Sequence, residues 1–170
     1  PQGVFAVCRA GENPPDFDRD GVFVLLSELQ DPGNIGTILR TCEAMNVRGV
    51  LLCSCADIYS PKVLRSAMGC LFRLPTEVLS STEEGLKKLH EHAVSCYAAA
   101  LSTKAKLLPD IRFAPKSCIV IGNEGNGLSA KTVSECDETV MIPMPGRAES
   151  LNAASAAAIL IYSAAVQAGI

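Results

Sequence analysis

Short apolar runs alternate with segments of helical pattern along almost the whole chain, and this alternation constrains the fold more than any other feature. The predicted strands cover residues 4–8, 22–26, 49–53, 76–79, 94–101, 118–121 and 139–142. Uninterrupted apolar runs such as 22–26 are typical of strands buried on both faces of a parallel sheet. The pattern therefore predicts an α/β fold, with a mostly parallel sheet covered by helices on both faces.

Capping residues mark where the intervening helices begin. The predicted helices run from Asp31 to about Met45, from Ser60 to about Met68, from Ser81 onward, over 129–135, and through an alanine-rich segment that ends near Gly169. Apolar residues make up 48% of the 170 residues and charged residues 19%, which excludes a disordered chain. Because no linker or repeat interrupts the pattern, residues 1–170 are predicted to form a single domain.

The last 21 residues, 150–170, carry no charge and are long enough to cross a bilayer. Eight of them are alanine, which contributes little to membrane insertion, and five polar residues interrupt the segment. The segment is therefore predicted to be a helix buried in protein, and no membrane partner is expected.

Charge and cysteine content restrict the partners and the cellular compartment expected for the chain. The net charge of −3 argues mildly against a freestanding nucleic-acid binder. The eight cysteines include no CxxC pair and several lie in apolar runs, which indicates reduced thiols and a cytoplasmic location. The chain begins with Pro1 rather than Met, so an N-terminal portion is expected to be missing. No secretory signal pattern opens the sequence.

In parallel α/β folds, ligands bind beyond the carboxyl ends of the strands, and three polar stretches lie there. The first contains Asn34, Gly36 and Arg40 at the start of a helix. Arg40 interrupts an apolar pattern, where a charge is costly unless it is paired or meets a ligand. An ordinary solvated arginine on an amphipathic helix is the alternative interpretation.

The second stretch follows the strand at 118–121 and contains three glycines, Gly122, Gly125 and Gly127, around Glu124. Glycines let a ligand approach the backbone. The spacing fits neither a dinucleotide-binding fingerprint nor a P-loop, and a carboxylate within the loop opposes phosphate binding. A tight turn with an exposed glutamate is the alternative.

The third stretch leads from the last strand into the alanine-rich helix and contains Ser150 and Asn152. Ser150 is predicted to be the N-cap of that helix. Asn152 is harder to explain by structure alone, because asparagine has poor propensity inside a helix.

Taken together, the three stretches resemble the three motifs of the SpoU (TrmH) family of RNA ribose 2′-O-methyltransferases, within the SPOUT superfamily. The first motif is matched by Asn34, Gly36, Arg40 and Thr41, the second by Gly122, Glu124, Gly127 and Ser129, and the third by residues 142–146 and 150–152. The resemblance implies an α/β fold with a C-terminal trefoil knot, a feature that no periodicity argument would propose.

The resemblance also implies that S-adenosylmethionine binds in the knot and leaves as S-adenosylhomocysteine. The cofactor-binding residues it implies are Leu101, Ile121, Gly122, Ile142, Met144 and Leu151. It further implies an RNA substrate, tRNA or rRNA, and a homodimer formed through the knot region and the last helix. There, small residues such as Ala154 and Ala157 would allow close approach to a partner element. Many members carry an RNA-binding extension before this catalytic unit.

The catalytic residues that the resemblance implies are Arg40, Asn34, Glu124, Ser150 and Asn152. A guanidinium hardly ever loses its proton, so Arg40 is expected to hold a phosphate and stabilise the developing alkoxide rather than act as a base. Asn34 would orient Arg40 or the ribose, and Glu124 would pair with Arg40 or fix its loop. No metal is expected, because His90 and His92 are two apart on a helix and diverge.

Two alternatives to the methyltransferase interpretation remain. One is a nucleotide-binding α/β enzyme that uses the glycine loop for phosphate, which Glu124 and the lack of a P-loop lysine oppose. The other is a non-catalytic RNA-binding or assembly module with the same fold.

Overall fold

A computed structural model describes residues 3, 7 and 11–169, and within them seven strands form one sheet. The strands are β1 (Gly21–Ser27), β2 (Gly49–Cys53), β3 (Thr76–Leu79), β4 (Ser95–Ala99), β5 (Lys106–Leu107), β6 (Lys116–Ile121) and β7 (Glu138–Met141). Their order across the sheet is β3-β2-β1-β6-β4-β7-β5, and every pairing is parallel. The helices are α1 (Pro32–Ala44), α2 (Pro61–Ala67), α3 (Thr82–Glu91), α4 (Ala130–Glu135) and α5 (Ala153–Gln167).

The mostly parallel α/β sheet predicted from the sequence is confirmed, and the predicted strands from residue 22 onward match the observed ones closely. The strand predicted at 4–8 falls outside the described residues, apart from Val7. The sequence analysis missed β5 and the 3-10 turns at Cys70–Phe72 and Leu108–Asp110. Elements of two or three residues are too short to produce a periodic signal.

Alternate residues of β1 point to two different helical layers. Val22, Val24 and Leu26 belong to a core shared with α1, α2 and α5. Phe23 and Leu25 belong to a second core, against α3. The sheet is therefore buried on both faces, as the uninterrupted apolar run predicted.

The alanine-rich helix α5 packs within the protein. Its buried residues form one continuous face of mostly small side chains, namely Ala154, Ala157, Leu160, Ile161, Ala164 and Ala165. Ala154 and Ala157, expected to approach a partner element, thus belong to the core that α5 shares with α1 and the sheet. Among the described residues, no helix combines the length and apolar character required to cross a bilayer.

The strand order brings together three loops from the C-terminal half of the chain. β6 lies between β1 and β4, and β7 lies on the other side of β4. Because all of these strands are parallel, the loops that follow β4, β6 and β7 emerge side by side at one edge of the sheet. The first polar stretch of the sequence follows β1 at the same edge, and the second and third follow β6 and β7.

Gly36 of the first motif allows α1 and α2 to pack closely. A Cβ atom at this position would overlap Ser66 Oγ and lie 2.8 Å from the Ala67 backbone nitrogen. The Ser66 hydroxyl also donates a hydrogen bond to the Pro32 carbonyl oxygen at 3.1 Å, so it cannot easily move aside.

We expect Gly36→Ala to lower the free energy of unfolding by about 1–3 kcal/mol, because the added methyl group must displace backbone as well as side chain. Urea denaturation measures this change. Gly11→Ala is the matched control, since no atom of the described residues lies within 4 Å of the place that its methyl group would take. An unchanged unfolding midpoint for Gly36→Ala would contradict the tight contact.

Candidate functional site

A cavity of about 380 Å³ opens at the carboxyl ends of β4, β6 and β7. All six residues predicted to bind the cofactor line it: Leu101, Ile121, Gly122, Ile142, Met144 and Leu151. They come from the three neighbouring loops and the approach to α5. The structure thus brings together residues that are up to 50 positions apart in the sequence.

The mouth of this cavity carries two large apolar side chains that remain exposed. Leu101 is 61% exposed and Leu151 is 37% exposed. Apolar surface around a concave site is typical of a ligand pocket, because a bound molecule removes that surface from water.

The glycine loop folds back on the end of β6. A Cβ at Gly122 would overlap the carbonyl carbon of Gly127, so only glycine fits there. Gly127 has φ +65°, a conformation that glycine adopts without strain. Both glycines are therefore required by the path of the loop, and this path places backbone in the cavity wall.

Asn123, which the sequence analysis missed, holds this loop in place. Its Oδ1 accepts hydrogen bonds from the backbone nitrogens of Gly125 at 2.8 Å and Asn126 at 3.2 Å. Its Nδ2 donates to the Glu28 carbonyl oxygen at 2.9 Å, at the end of β1. An asparagine after a strand is a recognisable turn residue, but its partner 95 positions away could not be read from the sequence.

Glu124 fixes its loop against the start of α1. Its carboxylate accepts hydrogen bonds from the backbone nitrogens of Gln30 at 3.3 Å and Asp31 at 3.1 Å, and from Asn34 Nδ2 at 3.2 Å. Partial burial raises the pKa of this carboxyl, but the hydrogen bonds outweigh burial and the net pKa lies below its ordinary value. Glu124 is therefore ionised at neutral pH.

Asn34 connects all three motifs. Besides donating to Glu124, its side chain accepts a hydrogen bond on Oδ1 from Asn152 Nδ2 at 3.0 Å. Asn34 is buried, so both halves of its amide require partners, and both have one.

The predicted N-cap at Ser150 is wrong, because Asn152 caps α5. Asn152 Oδ1 accepts from the backbone nitrogens of Ala154 at 2.9 Å and Ser155 at 3.3 Å. Asparagine is among the best N-cap residues, so its poor propensity inside helices does not apply here. One side chain thus starts the helix and contacts Asn34.

A second, polar cavity of about 470 Å³ adjoins the first and shares part of its wall. It is lined by Asp31, Asn34, Glu124, Ser150, Leu151, Asn152 and Ala153. Four of the five predicted catalytic residues therefore surround one space. Asp31, which the sequence analysis treated only as a helix start, contributes a second carboxylate.

Arg40 is the predicted catalytic residue that the structure does not bring into this group. It is exposed on the outer face of α1 and lines neither cavity. Within the described part of the chain it makes neither an ion pair nor a side-chain hydrogen bond. Two roles are expected for Glu124, pairing with Arg40 or fixing its own loop. The observed geometry matches the second role.

Comparisons with known proteins place the chain in a family. The model of the SpoU rRNA methylase family matches residues 21–162. A Bacillus subtilis relative, 23S rRNA (guanosine(2553)-2′-O)-methyltransferase RlmP, is 36% identical over 163 residues. A Synechocystis protein described as an uncharacterized tRNA/rRNA methyltransferase is 38% identical over 168 residues.

These alignments cover 95% and 96% of this chain but only 64% and 60% of the two relatives. The chain therefore spans less than two thirds of their length.

A solved structure with a similar fold supports the same family assignment. The SpoU methyltransferase AviRb from Streptomyces viridochromogenes, in complex with the cofactor AdoMet, matches with a TM-score of 0.81 and 34% identity over 91% of this chain and 65% of that one. The α/β-knot class predicted from the motifs is therefore confirmed. On the family match and this fold, the chain belongs to the SpoU rRNA methylase family.

Proposed function

We propose that the protein transfers the methyl group of S-adenosylmethionine to a ribose 2′-hydroxyl of tRNA or rRNA. The observation that carries the proposal is the apolar cavity joined to a polar cavity in which three motifs meet. The name of the B. subtilis relative supports the reaction, and the AdoMet complex of the Streptomyces protein supports the cofactor.

The residues of the apolar cavity fit such a cofactor. A volume of about 380 Å³ lies within the range of small-molecule sites, about 300–1,000 Å³. Its wall combines apolar side chains with the exposed backbone of the glycine loop, suited to a molecule that carries both apolar and hydrogen-bonding groups. When bound, the cofactor supplies a methyl group on a positively charged sulfur.

The polar cavity suits a sugar better than a phosphate. Two carboxylates, Asp31 and Glu124, line it, and none of the described residues around it is a lysine or an arginine. Hydroxyl groups can donate to such carboxylates and to amide oxygens, whereas a phosphate would be repelled. This charge pattern also opposes the alternative of a phosphate-binding nucleotide enzyme.

We infer that the protein contributes mainly by positioning. The attacking oxygen, the methyl carbon and the sulfur must lie in line, and rigid walls achieve this. Asn34, Ser150 and Asn152 would hold the ribose, while Glu124 keeps the loops together. When the new carbon–oxygen bond forms, the methyl–sulfur bond would break to leave S-adenosylhomocysteine, and the hydroxyl proton would pass to solvent water.

Arg40 would hold an RNA phosphate beside the target nucleotide, outside the two cavities. Its exposure makes its charge available to a large ligand that approaches from outside.

Methyl transfer from tritiated S-adenosylmethionine to bulk RNA tests the function. We expect Arg40→Ala to abolish transfer while the cofactor affinity by calorimetry stays within about 2-fold, since Arg40 lines neither cavity. Arg19→Ala, an exposed arginine paired with Asp16, is the control that should stay active.

Wild-type protein that binds RNA but never methylates it would favour the non-catalytic module. A thermal shift with ATP or NAD but not with S-adenosylmethionine would favour the nucleotide enzyme. Loss of cofactor binding in Arg40→Ala would contradict the assigned role.

Substitutions of Asn152 separate its capping role from its role at the site. Asn152→Asp keeps the oxygen that caps α5, so unfolding stability should stay near wild type, but it places a carboxylate against Asn34 Oδ1. We expect methyl transfer to fall about 10-fold or more, as for a hydrogen bond left unpaired. Asn152→Ala should also lose about 1 kcal/mol of stability through the lost cap.

Asn46 provides the matched charge control. Its amide is exposed, and it lies just beyond the C-terminal end of α1, which is the end far from the site. Asn46→Asp should leave transfer unchanged. Equal losses in both aspartate variants would show that added negative charge alone explains the effect.

We propose that the protein forms a homodimer through the exposed face of α5. Ile159, Tyr162 and Val166 recur there at helical spacing, and all three remain exposed. Exposed apolar side chains that cluster on one face are typical of interaction surfaces.

Tyr162→Glu should convert the protein to a monomer in sedimentation experiments, because a buried charge would oppose association. Val78→Glu, at an exposed apolar position on the edge strand β3, should leave the dimer intact. A wild-type monomer, or an intact Tyr162→Glu dimer, would rule out this interface.

We further propose that the chain acts as one catalytic domain in the cytoplasm. All seven cysteines within the described residues are free thiols, which suits a reducing compartment. The acidic net charge of −3 supports a small electrostatic contribution of this chain to RNA binding. The salt dependence of RNA affinity would measure how many phosphates this chain itself contacts.

A further inference from the structure

Three potential metal ligands meet at the opposite end of the sheet from the two cavities. His90 lies in the last turn of α3, Cys96 in β4, and Asp137 just before β7. A ring nitrogen, a sulfur and a carboxylate oxygen from these residues all lie within 4.8 Å of one another. They lie near the amino ends of β4 and β7, so they are separate from the proposed methyl-transfer site.

We propose that His90, Cys96 and Asp137 bind a zinc ion. Nitrogen, sulfur and oxygen are all donors that Zn²⁺ accepts, with bond lengths of about 2.0–2.3 Å. These lengths place tetrahedral ligands about 3.5 Å apart. His90 Nε2 and Asp137 Oδ2 already have this spacing, and since no pair of ligand atoms is more than 4.8 Å apart, the remaining pairs would close by roughly 1 Å at most.

The three ligands differ in their exposure to solvent. Cys96 is fully buried and provides a fixed sulfur. The side chains of His90 and Asp137 are 41% and 52% exposed, so solvent reaches both of them. With three protein ligands, a water molecule would take the fourth position of a tetrahedral site.

Local contacts already hold part of this arrangement. The Cys96 backbone nitrogen donates to Asp137 Oδ2 at 2.7 Å, which orients the carboxylate. His90 Nε2 lies 3.6 Å from the same Oδ2. The end of α3 adds the partial negative charge of a helix C-terminus, which favours a cation.

The sequence analysis dismissed a metal because it compared His90 only with His92. The partners of His90 are a cysteine six residues later and an aspartate 47 residues later, and tertiary packing alone brings them together. Bound zinc would link the end of α3 to the segment between α4 and β7. It should stabilise the fold without changing cofactor affinity.

Zinc titration of the whole chain against a chromogenic chelator tests the proposal, with cobalt as a spectroscopic substitute. We expect one equivalent of zinc, a higher melting temperature, and a thiolate-to-cobalt charge-transfer band. His90→Gln and Asp137→Asn should each weaken zinc binding by at least about 10-fold. Both positions are exposed, and the amide introduced by Asp137→Asn retains an oxygen for the Cys96 backbone nitrogen, so both variants should fold.

Zinc binding by other thiols is the main competing explanation, and control variants test it. His92→Gln, Cys55→Ala and Cys136→Ala should keep full affinity, whereas Cys96→Ala should lose the cobalt band. Absence of stoichiometric zinc, or unchanged affinity in His90→Gln, would overturn the proposal. Loss of binding in Cys136→Ala but not in Cys96→Ala would overturn this ligand set. None of these readouts depends on methyl transfer.

Discussion

One buried amide joins the three parts of the candidate site. Asn34 donates to Glu124 and accepts from Asn152, and these partners lie 90 and 118 residues away in the chain. A buried amide left unpaired costs about 1–3 kcal/mol, so each of these contacts restrains the segment that supplies it. The shape of both cavities depends on this restraint, because the wall that they share includes Glu124 and the residues next to Asn152.

The strand ends around this amide carry backbone strain. Glu28 after β1 and Ser54 after β2 adopt left-handed conformations, with φ of 59° and 52°. Such a conformation costs a non-glycine residue about 1–2 kcal/mol. The Gln30 side chain bridges the two turns, donating to the Glu28 carbonyl at 3.2 Å and the Ser54 carbonyl at 3.0 Å. Strain of this kind persists only where the surroundings hold it, and here the Glu28 carbonyl accepts a hydrogen bond from Asn123 of the glycine loop.

The sequence predicts what depends on local pattern and misses what depends on distant contacts. An uninterrupted apolar run predicted β2 with its observed bounds, because buried parallel strands need no polar face. The capping role was assigned to Ser150 rather than Asn152, since both residue types cap helices and only the fold decides between them. The motifs predicted which residues would surround the cavities, but not that Arg40 would lie apart from them. The roles of these residues in catalysis stay predictions.

The position of β6 has a consequence for how the chain is made. β1, β2 and β3 can pair in the order in which a ribosome releases them, but β4 finds both of its neighbours, β6 and β7, only later. Until residue 121 has emerged, one edge of β1 and both edges of β4 lack the strands that finally cover them. Open edges of this kind are prone to pair with other chains. Nascent polypeptides that stall between β4 and β6 should therefore be the species that most needs chaperone protection.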